Sequence, residues 1–398
     1  MYVTVVVAIR AGGWSRDSSP QGGRRGRSQT TKVLRPLRGE VREQFDEYLP
    51  SQFSRCDPNG TNGARGAFAR MMRPVLAAAI AALCFACASA PVPLPDSEQM
   101  LPPDVEAISL LGKPLSSPPL PAEMQKKREE ELAQAQRDYD ANPNSADAIL
   151  WLGRRTAYLG RYREAINIFS DGIRKHPDDA RMYRHRGHRY ITVRRFRDAV
   201  KDLAFAALLV RGKPDEVEPD GQPNARNIPL GSLQSNIFYH LGLAYYLLGE
   251  DEHALAAYRE CLNRAKNPDR LVSASHWTYM TLRRLGRVKE AEKVLEPISI
   301  DLDVIENIPY HKLLLMYGGE IAPEELVKQD ANTTEGATIL YGIGNWYFYN
   351  GQPDRARPLW QKIVDRSQWA SFGYIAAEAE LARDQAHAFR QSAVAGRE

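Results

Sequence analysis

The strongest constraint on the fold of this chain is a repetition with a period of 34 residues. Four pairs of similar residues share this offset: Pro143 and Pro177, Gly153 and Gly187, Tyr162 and Phe196, and Ala165 and Ala199. Such a period is typical of units that each form one supersecondary structure and bury their apolar faces by stacking on neighbours. The chain is therefore expected to form an array of like units.

Two shorter spacings recur along the chain. A glycine precedes an alanine by twelve residues in Gly153/Ala165, Gly187/Ala199, Gly242/Ala254 and Gly344/Ala356, and by five in Gly160/Ala165, Gly249/Ala254, Gly286/Ala291 and Gly351/Ala356. The glycine twelve residues before the alanine and the alanine itself are small, which allows two helices to cross closely. The glycine five residues before the alanine suits the turn between the two helices. The spacings predict helical hairpins, preceded by a charged helix over Ala122–Ala141.

This pattern resembles the tetratricopeptide repeat. The first full unit carries the family's residue types as Leu152-Gly153, Tyr162, Ala165, Phe169 and Pro177, and the resemblance extends over residues 146–382. It implies an all-α solenoid, a right-handed superhelix of about five to six helical hairpins within residues 122–398. An insertion at 214–235, rich in proline and acidic residues, interrupts the repeats and is predicted to be a loop.

The chain before the repeats divides into three predicted segments. Residues 1–70 are rich in Arg and Gly without helix or strand periodicity, which indicates either disorder or a position upstream of the true start. Residues 71–87 have the positive start and short apolar run of a secretory signal peptide. Residues 88–121 contain nine prolines and are predicted to be an extended linker.

The end of the signal peptide resembles a bacterial lipobox, in which Ala86 precedes the cysteine that becomes lipidated, Cys87. Cys84 departs from the usual residue at its position, so ordinary cleavage after Ala88 or Ala90 stays an alternative. The resemblance predicts a lipoprotein on the periplasmic side of the bacterial envelope, with Ala88 and Ser89 favouring the outer membrane. A soluble periplasmic protein is the alternative.

Charge argues against a nucleic-acid partner. The formal net charge is +4, but residues 1–70 hold twelve Lys or Arg against six Asp or Glu, so the remainder is slightly acidic. The chain also has no glycine-rich phosphate loop and no nucleophile beside a base. We therefore predict no cofactor, no metal and no catalytic residue. A metal-dependent hydrolase using His176, His185 and His188, or an enzyme-associated subunit, is the alternative.

The resemblance also implies a groove lined by the first helix of each unit. The residues that it places there are Trp151, Arg154, Arg184, His185, His188, Tyr239, Tyr246 and Trp277. Arginines and aromatic rings suit an extended acidic peptide. The predicted function is a non-catalytic adaptor for a protein partner, with a structural spacer as an alternative. A second hypothesis places the acidic insertion, 215–220, in the groove as an internal plug.

Overall fold

The computed structural model describes residues 101–395, with side chains described to residue 386. Fourteen helices follow one another in this part of the chain. They are α1 (Ala122–Ala141), α2 (Ala146–Tyr158), α3 (Tyr162–Lys175), α4 (Ala180–Thr192), α5 (Phe196–Leu209), α6 (Leu233–Leu248), α7 (Asp251–Leu262), α8 (Pro268–Arg284), α9 (Val288–Leu295), α10 (Ile308–Gly318), α11 (Pro323–Leu326), α12 (Thr334–Tyr349), α13 (Pro353–Val364) and α14 (Phe372–Ala395). The predicted all-α solenoid is confirmed, and α1 has the predicted bounds.

The helices pack mainly on their neighbours in sequence, as stacked hairpins do. In addition, the first helices of successive hairpins contact each other in the order α2, α4, α6, α8, α10 and α12. We call the continuous surface that these six helices form the inner face. It is the surface that the sequence predicts to be the groove.

The glycine and alanine spacings reflect close helix crossings. A Cβ atom added to Gly153 in α2 would lie 2.5 Å from Cε1 of Phe169 in α3. One added to Gly242 in α6 would lie 2.6 Å from Cε1 of Tyr258 in α7. Ala254, twelve residues after Gly242, is fully buried. Both helices of a hairpin therefore need a small residue where they meet.

Helix ends follow the capping residues of the sequence. The Ser145 hydroxyl accepts a hydrogen bond from the Ala148 backbone at the start of α2, and the Asp179 carboxylate accepts one from the Arg181 backbone at the start of α4. Gly249 ends α6 with φ of 76°, in the left-handed region that favours glycine.

The insertion lies between α5 and α6 and is shorter than predicted. Its predicted end is residue 235, but α6 begins at Leu233, because Ser232 and Ser235 form a capping box there. Within the insertion, Val217 pairs with Ser232 in a single antiparallel bridge. The loop is thus tied back to the start of α6.

The predicted proline-rich linker needs a correction over its second half. Residues 107–108 and 114–115 form the strands β1 (Ala107–Ile108) and β2 (Pro114–Leu115), which pair as a small antiparallel hairpin. Val105, Ala107 and Leu115 are buried. The fixed φ of proline is compatible with an edge strand as well as with a free extended chain. The buried side chains of Val105, Ala107 and Leu115 give this segment an apolar surface that packs in the fold.

The other predictions for the N-terminal part lie outside the described residues. They are the segment 1–70, the signal peptide 71–87 with Cys87, and the linker from 88 to 100. Among the helices that the structure describes, none is both long enough and apolar enough to span a bilayer.

The last helix, α14, packs against α12 and α13 and reaches α6. Glu378 on α14 forms an ion pair with Arg194, which lies in the turn between α4 and α5, with 2.6 Å between Oε2 and Nη2. Glu380, two residues later, pairs with Arg284 at the end of α8 at 2.5 Å. Through these contacts, α14 covers part of the inner face.

Candidate binding site under the insertion

The insertion lies across the basic end of the inner face. Nη2 of Arg154 in α2 donates a hydrogen bond to the Pro219 carbonyl at 2.9 Å, and Nη1 of Arg155 donates one to the Gly221 carbonyl at 2.8 Å. Gly221 allows this close approach, because an added Cβ would lie 2.1 Å from the Tyr158 hydroxyl. The main chain of the insertion is therefore held by arginines of α2.

The carboxylate of Glu218 is the centre of the site. Its Oε2 lies 3.1 Å from Nε of Arg184, and its Oε1 lies 3.2 Å from Nε2 of His185, both on α4. Nδ2 of Asn236 on α6 donates a third contact to Oε2 at 2.9 Å. Side-chain exposure is 9% for Glu218 and for Arg184, so the ion pair is shielded from solvent.

The electrostatics fix the protonation of this cluster. Burial, aided by the charge of Arg184, lowers the pKa of His185 to about 3, so its ring is neutral at pH 7. Its Nδ1 lies 2.9 Å from Nη1 of Arg184, which can only donate, so the proton sits on Nε2 and is donated to Glu218.

Glu218 is ionised in this environment. Burial alone would raise the pKa of its carboxyl, but the charge of Arg184 and the hydrogen bonds from His185 and Asn236 hold that pKa below its usual range. The site is therefore a set of converging donors around one carboxylate, and the carboxylate comes from an extended segment.

The remaining basic residues of the predicted groove lie beside this cluster. The guanidinium of Arg154 stacks over the ring of Trp151, with 4.3 Å from Cζ to the ring centroid. His188 is half-buried, and its ring lies 4.3 Å from that of His240 and 5.4 Å from that of Phe372 at the start of α14.

The aromatic residues of the predicted groove form a buried network instead of an open surface. Tyr239 accepts a hydrogen bond from Nε1 of Trp277 at 2.9 Å, and Tyr246 contacts the Tyr341 hydroxyl at 2.8 Å. Tyr246 and Trp277 are 0% and 1% exposed. The expectation that these rings are accessible is wrong for the free protein.

The physical reason is that two segments, the insertion and α14, each cover a different part of the inner face. The insertion covers Arg184 and His185, which are 8% and 7% exposed, and α14 covers the aromatic end through Glu380. The repeat pattern describes contacts between neighbouring hairpins and carries no information on segments that fold back over them. Glu218 lies where the internal-plug hypothesis expects it, while partner binding at the groove residues stays a prediction.

The histidines do not form a metal site in the described part of the chain, where no three His, Cys, Asp or Glu side chains are grouped to hold an ion. Nε2 of His176 contacts the Asn144 carbonyl at 2.9 Å, whereas His185 contacts Arg184 and Glu218. The proposed ligand set His176, His185 and His188 is therefore not assembled here.

Sequence reasoning missed several polar residues of the inner face. Asn236 and Arg270 link Glu218 to α8, since Nη2 of Arg270 donates to Oδ1 of Asn236 at 2.6 Å. Glu378 and Glu380 on α14 were also missed. Their signal is present in the sequence, because they are the acidic residues of an otherwise apolar run from 374 to 381.

Comparisons with known proteins agree with this architecture. A family model described as "Tetratricopeptide repeat" matches residues 235–268, which cover most of α6, all of α7 and the turn up to the start of α8. No curated protein matches the sequence.

Several solved structures are similar. A tetratricopeptide repeat protein from Parabacteroides merdae is 16% identical, with 64% of this chain and 92% of that one covered and a TM-score of 0.38. YrrB, a TPR protein with an unusual peptide-binding site, is 14% identical over 61% and 95%, with a TM-score of 0.35. BtubC from P. vanneervenii is 14% identical over 67% and 91%, also at 0.35. Residues 235–268 thus match the tetratricopeptide repeat, and the other described hairpins stack as repeats of this kind do.

Proposed function

We propose that this protein is a non-catalytic adaptor that binds an extended, acidic segment of a partner protein at the basic end of its inner face. The observation that carries the proposal is the grip on Glu218 by Arg184, His185 and Asn236. Tetratricopeptide repeats are scaffolds typical of protein interactions, which agrees with a binding role. In the free protein, the insertion holds the site that a partner would use.

The chemistry of the site fits a carboxylate from outside as well as one from the insertion. The contact between Arg184 and Glu218 is an ion pair, and attraction between a guanidinium and a carboxylate gains strength when water is excluded. The bonds from Arg154 and Arg155 to Pro219 and Gly221 engage main-chain carbonyls, which any extended segment presents. The insertion is tethered, so its effective concentration is high, and a partner has to compete with it.

We further propose that Cys87 carries a lipid anchor and that the adaptor acts on the periplasmic side of the bacterial envelope. This part of the proposal rests on the lipobox-like residues before Cys87, with Ala88 and Ser89 favouring the outer membrane. Two or more acyl chains give stable anchoring where a single chain does not. Metabolic labelling with a clickable fatty acid should mark the wild type and leave Cys87→Ser unlabelled, and equal labelling of both would exclude Cys87 as the site.

The binding test uses the insertion as its own ligand. Nε2 of Gln234 donates to the Lys213 carbonyl at 2.8 Å, so both ends of the insertion lie close together, and a short Gly-Ser linker can replace residues 214–231. A fluorescent peptide copying residues 214–221 should bind this shortened variant in trans. The same peptide with Glu218→Gln should bind about tenfold more weakly or worse, because a charge-assisted pair is lost.

The controls separate the site from general basicity. Arg184→Gln in the shortened variant should abolish the preference for the Glu218 peptide, whereas Arg174→Gln, an exposed arginine paired with Asp171, should not change it. In the full chain, Glu218→Gln should bind the wild-type peptide more tightly than the wild type does. Equal binding of both peptides by a folded variant, or no binding by any variant, would refute the proposal.

A further inference from the structure

A cavity remains between the insertion and the inner face after Glu218 is in place. Its volume is about 250 Å³, and residues of α2, α4, α6 and α8 line one side. Pro219, Asp220, Leu230 and Gly231 of the insertion line the other. The cavity therefore exists only while the insertion is docked.

Most of the arginines that line this cavity form no ion pair with a described residue. Four arginines line it, and they are Arg154, Arg184, Arg189 and Arg270. Among the described residues, Arg184 is the one of these four that forms an ion pair, and its partner is Glu218. The other acidic residues of the lining, Asp220 and Glu306, accept hydrogen bonds from the Gln222 backbone and from Nδ2 of Asn224, and neither forms an ion pair with the four arginines.

Several buried donors of these arginines have no acceptor. Nε and Nη1 of Arg154 and Nε of Arg270 are buried without a hydrogen-bond partner among the described residues. Nε of Arg184 forms no hydrogen bond either, although it lies 3.1 Å from Oε2 of Glu218 in the ion pair. Arg154 is only 6% exposed. Nearly all buried polar groups in proteins have a partner, so a guanidinium with two orphaned donors at a cavity wall indicates a missing acceptor.

Burial also disfavours the charged forms of Arg184 and Arg189 in the cavity wall. Burial lowers the pKa of Arg189 to about 10, and burial also lowers the pKa of Arg184 despite the charge of Glu218. Arg189 contacts the ring of Tyr162 at 5.4 Å. A bound anion would stabilise the charged form of both groups.

We propose that this cavity binds a compact oxyanion, a phosphate or a small carboxylate, against Arg154 and Arg270. The cavity is smaller than the ~300–1,000 Å³ pockets of drug-sized ligands, so a peptide or a large cofactor does not fit. The planar donors of a guanidinium match the oxygens of phosphate and carboxylate groups.

The anion would also act on the insertion. Because the docked insertion forms one wall, the anion binds the docked form and stabilises it by mass action. A free oxyanion would then oppose the entry of a partner segment. This coupling rests on the proposed function, whereas the anion site itself does not.

The test uses the full chain with inorganic phosphate or malonate, at constant ionic strength set with chloride. Thermal unfolding measures the stabilisation by each anion, and titration calorimetry measures its affinity. The wild type should be stabilised with increasing phosphate or malonate but not with chloride. Arg154→Gln and Arg270→Gln should each weaken the binding about tenfold or more. Arg174→Gln should bind as the wild type does.

The two ligands distinguish the sources of the oxyanion. Binding of phosphate alone assigns a phosphate group, binding of malonate alone assigns a carboxylate, and both results support the site. Absence of binding, or equal binding by Arg270→Gln and the wild type, would overturn it. Arg270→Gln serves as the second variant if Arg154→Gln does not fold. Failure of the peptide test with retained anion binding would reject the adaptor proposal and leave this site intact.

Discussion

The ion pair between Arg194 and Glu378 should be the strongest single polar contact that holds α14 on the rest of the solenoid. Their side chains are 3% and 0% exposed, and Nη2 of Arg194 also donates to the Trp369 carbonyl at 2.9 Å. Glu378 accepts a further hydrogen bond from the Leu110 backbone. One carboxylate thus joins the N-terminal hairpin, the α4–α5 turn and the last helix.

Removing one partner of this pair should be costly. Arg194→Met leaves the buried carboxyl of Glu378 without its counterion, and breaking a buried pair in this way costs about 3–5 kcal/mol. This is a large part of the ~5–15 kcal/mol by which domains are stable. The double variant Arg194→Met/Glu378→Leu removes both charges and should recover most of the loss, because the buried pair itself contributes little beyond its desolvation cost.

The assay is urea unfolding followed by far-ultraviolet circular dichroism, with limited trypsin digestion to detect release of α14. The matched control is Arg357→Met, which breaks a pair with Asp384 between α13 and α14 at 2.7 Å. Both of these side chains are substantially exposed, so the cost should be at most about 1 kcal/mol. The reasoning is refuted if Arg194→Met costs no more than this control. It is also refuted if the double variant is less stable than Arg194→Met.

Two further predictions concern stability. Burial lowers the pKa of both His185 and His276 to about 3 in the folded chain, against about 6.5 when unfolded. Between these values only the unfolded chain binds the proton, so stability should fall as pH falls, by about 2 kcal/mol per histidine from pH 7 to 5. Urea unfolding at pH 7 and pH 5 should show this loss of stability, and the loss should be smaller in His276→Phe. An equal loss in His276→Phe and the wild type would contradict the prediction. Gly242→Ala should cost about 1–3 kcal/mol by overpacking against Tyr258, whereas Gly318→Ala, whose added Cβ would lie 4.0 Å from Oε1 of Glu320, should be neutral or stabilising. Thermal unfolding that ranks the two variants in the opposite order would show that the helix crossing is not tight.

The local structure could be predicted from the sequence because its determinants are local. The spacing from Gly153 to Ala165 reports a helix crossing within one hairpin, and the 34-residue period reports the stacking of neighbours. Ser145 and Asp179 mark helix starts through their own side chains. Such signals lie within a few dozen residues of each other and need no knowledge of the whole fold.

The accessibility of the site could not be predicted in the same way. Arg194 and Glu378 are 184 residues apart, and no repeat spacing relates them. Tyr246 occupies a groove position in the repeat pattern, yet its hydroxyl contacts Tyr341 of α12, and Arg284, which pairs with Glu380 of α14, lies over its ring. A position that faces solvent in an open solenoid becomes buried when a helix from a distant part of the sequence packs on it. The repeat pattern therefore identifies which residues lie on the inner face, but not whether they are exposed.

The two covers of the inner face differ in how easily a partner could displace them. On α14, Ile375, Ala376 and Ala377 are fully buried, so releasing this helix exposes apolar surface to water. The insertion instead leaves Val217 64% and Ile228 46% exposed, and arginines, His185 and Asn236 hold it through polar contacts. A partner carboxylate and main chain can replace those contacts one for one, whereas nothing polar can replace the burial of α14. The insertion is therefore the cover that exchanges in the proposed function.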